Sequence, residues 1–591
     1  MKRFCLFIAL VIWQPQVSCS QERDFAQEYG ELSQKYVADL HLLAEQAKRE
    51  ELPAEQIAIA EQLQPRESGR WVFYFAQPKA KPLPPLTSVL TANYSQALRK
   101  LAYAAGEAGR GDLAWPWAHE AYKEDQSKGG REPFSDVVTN PHPAATARAG
   151  TGIHPKYGWG TGRHWQAESR RFIVDTNVNA KAGIELANDL ERFHHVWQQM
   201  FPTVWTTPEK IKSRFRGEGT PLSIHFRFRV ALFKDRTEYL RLLKQTKGAE
   251  VSTGIYLDEP RISAFYAGPE SKQSTQFHEV THQLFQECSM ARPGIAAQEN
   301  MWLIEAVALF METYQEHAGY ATLGGWDAEN LQYARFRALG GDFYLPLDKL
   351  ATLGRQELQE HTDIRRIYSE MAGLGHFFLT AEQGKYREAF VETLRLVYQN
   401  QASAATLSER INKPYSELDR EYLAFLNVTD ADLKRCPPQR EMRKLSLRRT
   451  QITDAGLAAF KDCERLEWID LSLTTTSDTG FGKFPPSTQL KQLFLEGTKI
   501  TDASASLIAE FENLEELYLS DTSLTDAAIQ ELSKLKKLKH LDLAGCALTA
   551  AAVEHLSTMK SLTYLAVNRT NIPPEALVRL KKSLPKTLLG Q

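Results

Sequence analysis

The 591-residue sequence predicts three folded parts in series: a mostly helical N-terminal region, a central α+β domain and a C-terminal α/β solenoid of parallel strands. Three observations carry this expectation. The C-terminal part repeats itself every 24 residues. The centre alternates strand-like runs with amphipathic helical runs, and the region before it is helical almost throughout. Length agrees, since roughly 100 to 200 residues make a domain. With 43% hydrophobic and 24% charged residues the composition is globular, and a net charge of −2 carries no excess of Lys and Arg for a polyanion, so nucleic acid is not an expected partner.

The chain opens with Lys2 and Arg3, an apolar run over residues 4–13, then Pro15 and small residues up to Ser20. Residues 1–20 therefore read as a secretory signal, because the apolar run is too short to span a bilayer. Cleavage near Cys19 or Ser20 would give a secreted or periplasmic, soluble product. Acylation of Cys19 is the alternative, although Gln16 stands where an apolar residue is wanted. No later stretch has the length and apolarity of a transmembrane segment. Cysteines are scattered, and only Cys436 and Cys463 are near enough in sequence to suggest a bridge, which spacing alone does not establish.

Residues 21–165 form the helical region, clearest from Tyr94 to Leu101 and onward towards Ala121. The small and large residues there faintly resemble one tetratricopeptide unit. Residues 150–162 contain GTG and GWGTG without the lysine of a phosphate loop, and read as a linker or hairpin.

Residues 166–426 carry the chemistry. A strand at Arg171 to Val174 precedes a long amphipathic helix through Leu186, Leu190, Phe193 and Trp197. His194 and His195 on that helix have no spaced partner and read as structural. A strand at Phe228–Phe233 and a hairpin of Gly254–Leu257 with Ile262–Tyr266 follow, and directly after them comes QFHEVTHQLFQE. On a helix, His278 and His282 stand on one face and can share one metal ion, while Glu279 lies about 100° around, beside the ion, in the position of a general base. A catalytic zinc takes three protein ligands and keeps one place open. Glu305, 23 residues after His282 in the helical run MWLIEAVA and beyond the Pro293-Gly294 break, supplies the third.

HExxH followed by W-L-x-E resembles the gluzincin metallopeptidases, and the flanking hairpin and helices resemble a bacterial peptidase-MA-like family. The resemblance implies a zincin-like domain over residues 166–426, one Zn2+ per chain, and hydrolysis of a peptide or protein substrate by zinc-activated water with Glu279 as base. It implies that the edge strand before the HExxH helix holds substrate backbone, here through Ile262, Ala264 and Tyr266 of the Ile262–Tyr266 strand. It also implies a Tyr or His oxyanion donor in the downstream run from Ile367 to Phe377, where Tyr368 and His376 are both candidates and either could instead be a packed core residue. One departure is Ala306, where many members have Gly.

In residues 427–591 the apolar triplet L-x-x-L-x-L recurs, as at Leu466/Ile469/Leu471 and Leu490/Leu493/Leu495, and three positions later comes Thr450, Thr474, Thr498, Thr522, Cys546 or Thr570. A Thr-Asp or similar pair then opens a short helix. These residues resemble leucine-rich repeats, whose coils must stack because none buries its apolar edge alone. Val428-Thr429-Asp430 fits the same register as an N-terminal cap. The concave face would present Trp468, Phe494, Tyr518, His540 and Tyr564, either as a partner-binding line or as ordinary solvated positions. The expected function is an exported zinc peptidase whose repeats recruit substrate or partner. The alternative is an inactive zinc-binding scaffold acting as a repeat-based protein-binding module.

Overall fold

The computed structural model describes residues 24–590 except 67, 76–81, 125–142, 219–221, 223, 225, 244–251, 290, 436, 437 and 439. The expected signal segment and the Cys436 partner proposed for Cys463 lie outside the described residues.

Four helices open the chain: α1 (Phe25–Arg49), α2 (Pro53–Arg66), α3 (Pro85–Glu107) and α4 (Gly111–Glu124). Helix α1 starts where the Asp24 side chain accepts from the Gln27 amide (3.0 Å) and ends on Lys48 and Arg49, matching the polarity of the helix ends. Tyr36 and Tyr94 stack at 4.0 Å, and a buried Arg66–Glu120 pair at 2.7 Å ties α2 to α4. Between α2 and α3, strand β1 (Trp71–Tyr74) leaves this group and pairs antiparallel with a later strand, β9 (Tyr320–Leu323).

The central sheet has six strands: β2 (Thr146–Ala149), β3 (Trp165–Glu168), β4 (Phe172–Thr176), β5 (Phe228–Phe233), β6 (Gly254–Leu257) and β7 (Ile262–Tyr266). Their order is β2-β3-β4-β5-β7-β6, parallel at β4–β5 and β5–β7 and antiparallel elsewhere. Residues 150–162 lie in the loop that joins β2 to β3, the hairpin option of the sequence reading. The sheet thus reaches across the boundary expected at residue 165, because Thr146 pairs with Glu168. Helix α5 (Ala180–Met200) packs on the sheet, and its Phe193 stacks at 4.6 Å on Phe277 of α6 (Gln273–Cys288). His194 is fully buried on α5, in keeping with a structural role.

Helix α7 (Met301–Met311) is buried at all eleven positions, which explains its almost unbroken apolar sequence. After β8 (Gln315–His317) and β9 come α8 (Glu329–Gly340) and α9 (Ile364–Thr380). Helix α9 lies against α7 so closely that a Cβ at Gly375 would stand 2.4 Å from the Ala306 carbonyl oxygen. The close approach at Ala306 thus rests on a glycine of the opposite helix.

Seven short parallel strands form the solenoid: β10 (Lys444–Ser446), β11 (Trp468–Asp470), β12 (Gln492–Phe494), β13 (Glu516–Tyr518), β14 (His540–Asp542), β15 (Tyr564–Ala566) and β16 (Leu588–Gly590), with partners advancing by 24 residues. The repeated threonines close each bend by donating to the carbonyl three residues back, as Thr498 does to Leu495 at 2.6 Å. In the fifth coil the Cys546 thiol donates to Leu519 at 3.2 Å. The Thr-Asp pairs divide their work. Thr caps its own helix, while Asp reaches into the next coil: Asp502 accepts from the Thr525 amide (2.8 Å) and hydroxyl (2.6 Å), and Asp478 and Asp526 do the same one coil away on either side.

The expected aromatic line becomes two rows. Trp468, His540 and Tyr564 share one register position, and Phe494 and Tyr518 share the position two residues on. Trp468 is not open to a partner, since Tyr333 of α8 stacks on it at 5.2 Å and Phe336 meets it edge-on at 5.3 Å. Arg335 of α8 fastens the same junction by donating to the carbonyls of Leu426 and Ser446. Phe494 and Tyr518 stack on each other at 4.4 Å and remain partly exposed. Among the described residues no helix is long and apolar enough to cross a membrane.

Candidate metal centre

The two histidines stand on one face of α6, their rings 4.8 Å apart. Helix α7 returns Glu305 to them: its carboxylate oxygens lie 3.5 Å from His278 Nε2 and 3.9 Å from His282 Nε2. One donor atom from each residue lies within 4.8 Å of the other two. Tetrahedral ligands at about 2.0 to 2.1 Å from an ion are about 3.3 Å apart, so the three donors need only small adjustments to hold one. The side chains are 12%, 16% and 8% exposed, which leaves the cluster open on one side. Glu305 is the lone acid in an otherwise apolar buried helix, and its Oε2 closes no hydrogen bond. Burying such a group without a cation is costly.

Electrostatics follow from this crowding. Burial would depress the His278 imidazole, yet the carboxylates of Glu305 and Glu312 beside it hold it well above its ordinary range. His282, lacking a second acid, is pushed down to about 4 by burial and by the charges of His278 and Arg355, with Glu305 opposing. Glu305 falls to about 2, because the histidines and Tyr368 outweigh its burial. Glu279 is raised to about 7 by burial, although the Tyr256 amide donates to its Oε2 at 2.8 Å.

Of the residues expected around the triad, Tyr368 is brought in and His376 is not. The charge of Glu305, followed by burial, raises the Tyr368 hydroxyl well above its ordinary range, with Glu279 and Glu312 adding to the effect. His376 is buried edge-on against Phe310, and its electrostatic partners are Arg70 and Arg335. Eight residues along a helix is roughly 12 Å of rise and a turn of about 80°, so the two cannot serve one point.

The substrate strand also needs correction. Ile262, Ala264 and Tyr266 are buried in β7, which lies inside the sheet between β5 and β6. The edge is β6, the first arm of the hairpin, whose Tyr256 amide already faces Glu279. Parallel pairing of β7 with β5 decides this, and the hairpin sequence does not reveal it. Glu312, missed in the sequence and seven residues beyond Glu305 on the same helical face, accepts a hydrogen bond from His278 Nδ1 at 2.8 Å. A cleft of about 1220 Å3, lined by Arg110, Asp112, Trp205 and Arg387 among others, contains none of the triad.

Comparisons with known proteins fall on the repeats. Residues 441–461 and 488–548 match family models described as leucine-rich repeat. The chain therefore carries leucine-rich repeats, as its stacked parallel coils require. No curated protein matches. Among solved structures, a leucine-rich-repeat protein of Leptospira interrogans is 22% identical over 29% of this chain and 45% of that one, with a TM-score of 0.22. An internalin of Listeria monocytogenes is 18% identical over 29% of this chain and 55% of that one, with a TM-score of 0.23. The chain spans about half the length of these structures.

Proposed function

We propose that the central domain is a zincin-like, gluzincin-type metallopeptidase of an exported protein, and that the repeats bind a protein partner or substrate. The convergence of His278, His282 and Glu305 with a buried Glu279 beside them carries this proposal. The donor set of two imidazoles and a carboxylate suits zinc. Zinc bound there would supply Lewis acidity to activate water and polarise the scissile carbonyl. Glu279 takes the proton of the attacking water and delivers it to the leaving amine, a task suited to a carboxylate raised to about 7. The Tyr368 hydroxyl donates a hydrogen bond to the carbonyl oxygen as negative charge grows on it. Strand β6 offers an open edge along which an extended peptide can pair.

The family matches favour a second proposal, in which the repeats do the work and the centre is an inactive zinc-binding scaffold. Elemental analysis of the purified protein and of His278→Ala, with cleavage of a broad peptide library by wild type and Glu279→Gln, separates the two. The peptidase proposal expects one zinc per chain, lost in His278→Ala, and cleavage that falls by about a thousandfold or more in Glu279→Gln. Bound zinc with equally negligible cleavage in both leaves the scaffold.

A further inference from the structure

The cleft that contains none of the triad has a chemistry of its own. It lies where α4, the segment around Trp205 and the helix Arg387–Tyr398 meet, and it reaches Cys288, six residues and about 9 Å along α6 from His282. Seven Lys or Arg line it against four Asp or Glu, and two of the acids are already taken. Both Asp112 oxygens accept from Arg110, at 3.0 and 2.9 Å, and Arg395 holds Glu392 in the same forked way.

Arg387 is left over. Its side chain is 2% exposed, and among the described residues its Nε and Nη1 close no hydrogen bond. Nη1 stops 3.9 Å from Asp112 Oδ2, too far for one, and Nη2 has the Gln383 carbonyl oxygen at 3.4 Å. The guanidinium lies 3.6 Å from the centre of the Trp71 ring, and a Cβ at Gly384 would stand 2.2 Å from Nη2, so the group is gripped where it is. Burying a cation with unused donors is costly, and nothing in the packing requires it. Residues 385–389, where the helix begins, all line the cleft, and the amino end of a helix adds partial positive charge. Lys210 and Arg410 are exposed lining residues, and Pro202, Val204 and Trp205 add an apolar wall.

We propose that this cleft binds a small organic anion, with its phosphate or carboxylate group on Arg387 and the helix end and its apolar body along Trp205. A fork of unused donors matches either group, and about 1220 Å3 suits a molecule of that kind better than a bare ion. The site does not depend on the peptidase proposal.

Calorimetric titration of the full chain with phenyl phosphate, benzoate and neutral benzyl alcohol tests it. One of the two anions should bind with a Kd below about 1 mM, and at least about tenfold more tightly than benzyl alcohol. Phenyl phosphate as the tighter assigns a phosphate ester, and benzoate a carboxylate. Arg387→Met, which keeps an apolar stem against Trp71, should weaken that anion by about tenfold or more, with the ligand-free Tm unchanged or raised. Lys210→Ser combined with Arg410→Ser, both on exposed positions, should weaken it by about threefold. His278→Ala should bind as wild type does, which separates this site from the metal centre. No preference for an anion over benzyl alcohol, wild-type affinity in Arg387→Met, or loss of binding in His278→Ala overturns the proposal. If Arg387→Met does not fold, the double variant decides, and unchanged affinity there overturns it.

Discussion

His278 Nδ1 and Glu312 Oε1 lie 2.8 Å apart, so the carboxylate fixes which imidazole nitrogen turns towards Glu305 and His282. Such outer partners orient a ligand and raise its basicity. Glu312→Gln should weaken zinc affinity by about tenfold to a hundredfold, measured by competition with a chelator, with the fold intact by circular dichroism. Unchanged affinity would mean that the contact orients nothing.

Trp468 belongs to the junction between α8 and the solenoid. Trp468→Ala should destabilise the protein by about 3 to 5 kcal/mol, read as a lowered denaturation midpoint, because it empties a buried site under Tyr333 and Phe336. Tyr518→Ala, on the open part of the face, should leave that midpoint nearly unchanged and weaken capture of a protein partner. Equal stability losses in both would contradict the division of the face.

Glu370 on α9 is raised to about 8 by burial, with the Leu345 amide opposing and the Asp419 charge adding. The folded state then holds a proton that the unfolded state loses near the ordinary value of 4.5. Stability from this group is full below about 4.5 and is lost as pH rises through about 8. Glu370→Gln should match wild type in Tm at pH 4 and exceed it by several degrees at about pH 8. A constant difference across that range would refute the assignment.

The Asp502 bonds to Thr525 join neighbouring coils. Asp502→Ala leaves the Thr525 amide and hydroxyl without that partner and should cost about 1 to 3 kcal/mol, with faster amide exchange in the coils on either side. Exchange unchanged around Thr525 would place the strength of the stack in its leucines alone.

Features set by local spacing were legible in the sequence. The 24-residue repeat requires stacked coils, and the i, i+4 histidines require one face of a helix. Glu305 was legible because two histidines leave a zinc site one protein ligand short, and the helical run beyond Pro293-Gly294 offers an acid. What was hidden depends on pairing between distant segments. Strand β7 is interior only because β5, some thirty residues earlier, pairs beside it. Trp468 is covered only because α8, over a hundred residues before it, lies across the mouth of the solenoid. His376 shares a helix with Tyr368 but not a direction, and a motif window cannot tell which of two polar residues a neighbouring helix will face.

Each aspartate of the ladder reaches one coil forward by the same pair of bonds, so every junction that uses it is chemically equivalent to the next. Whole coils can be gained or lost within that stretch without inventing a new kind of seam. Only the first coils are committed elsewhere, through Trp468 and the Arg335 bonds to Leu426 and Ser446. The length of the repeat face is therefore free to drift over generations while its anchorage to the central domain stays put.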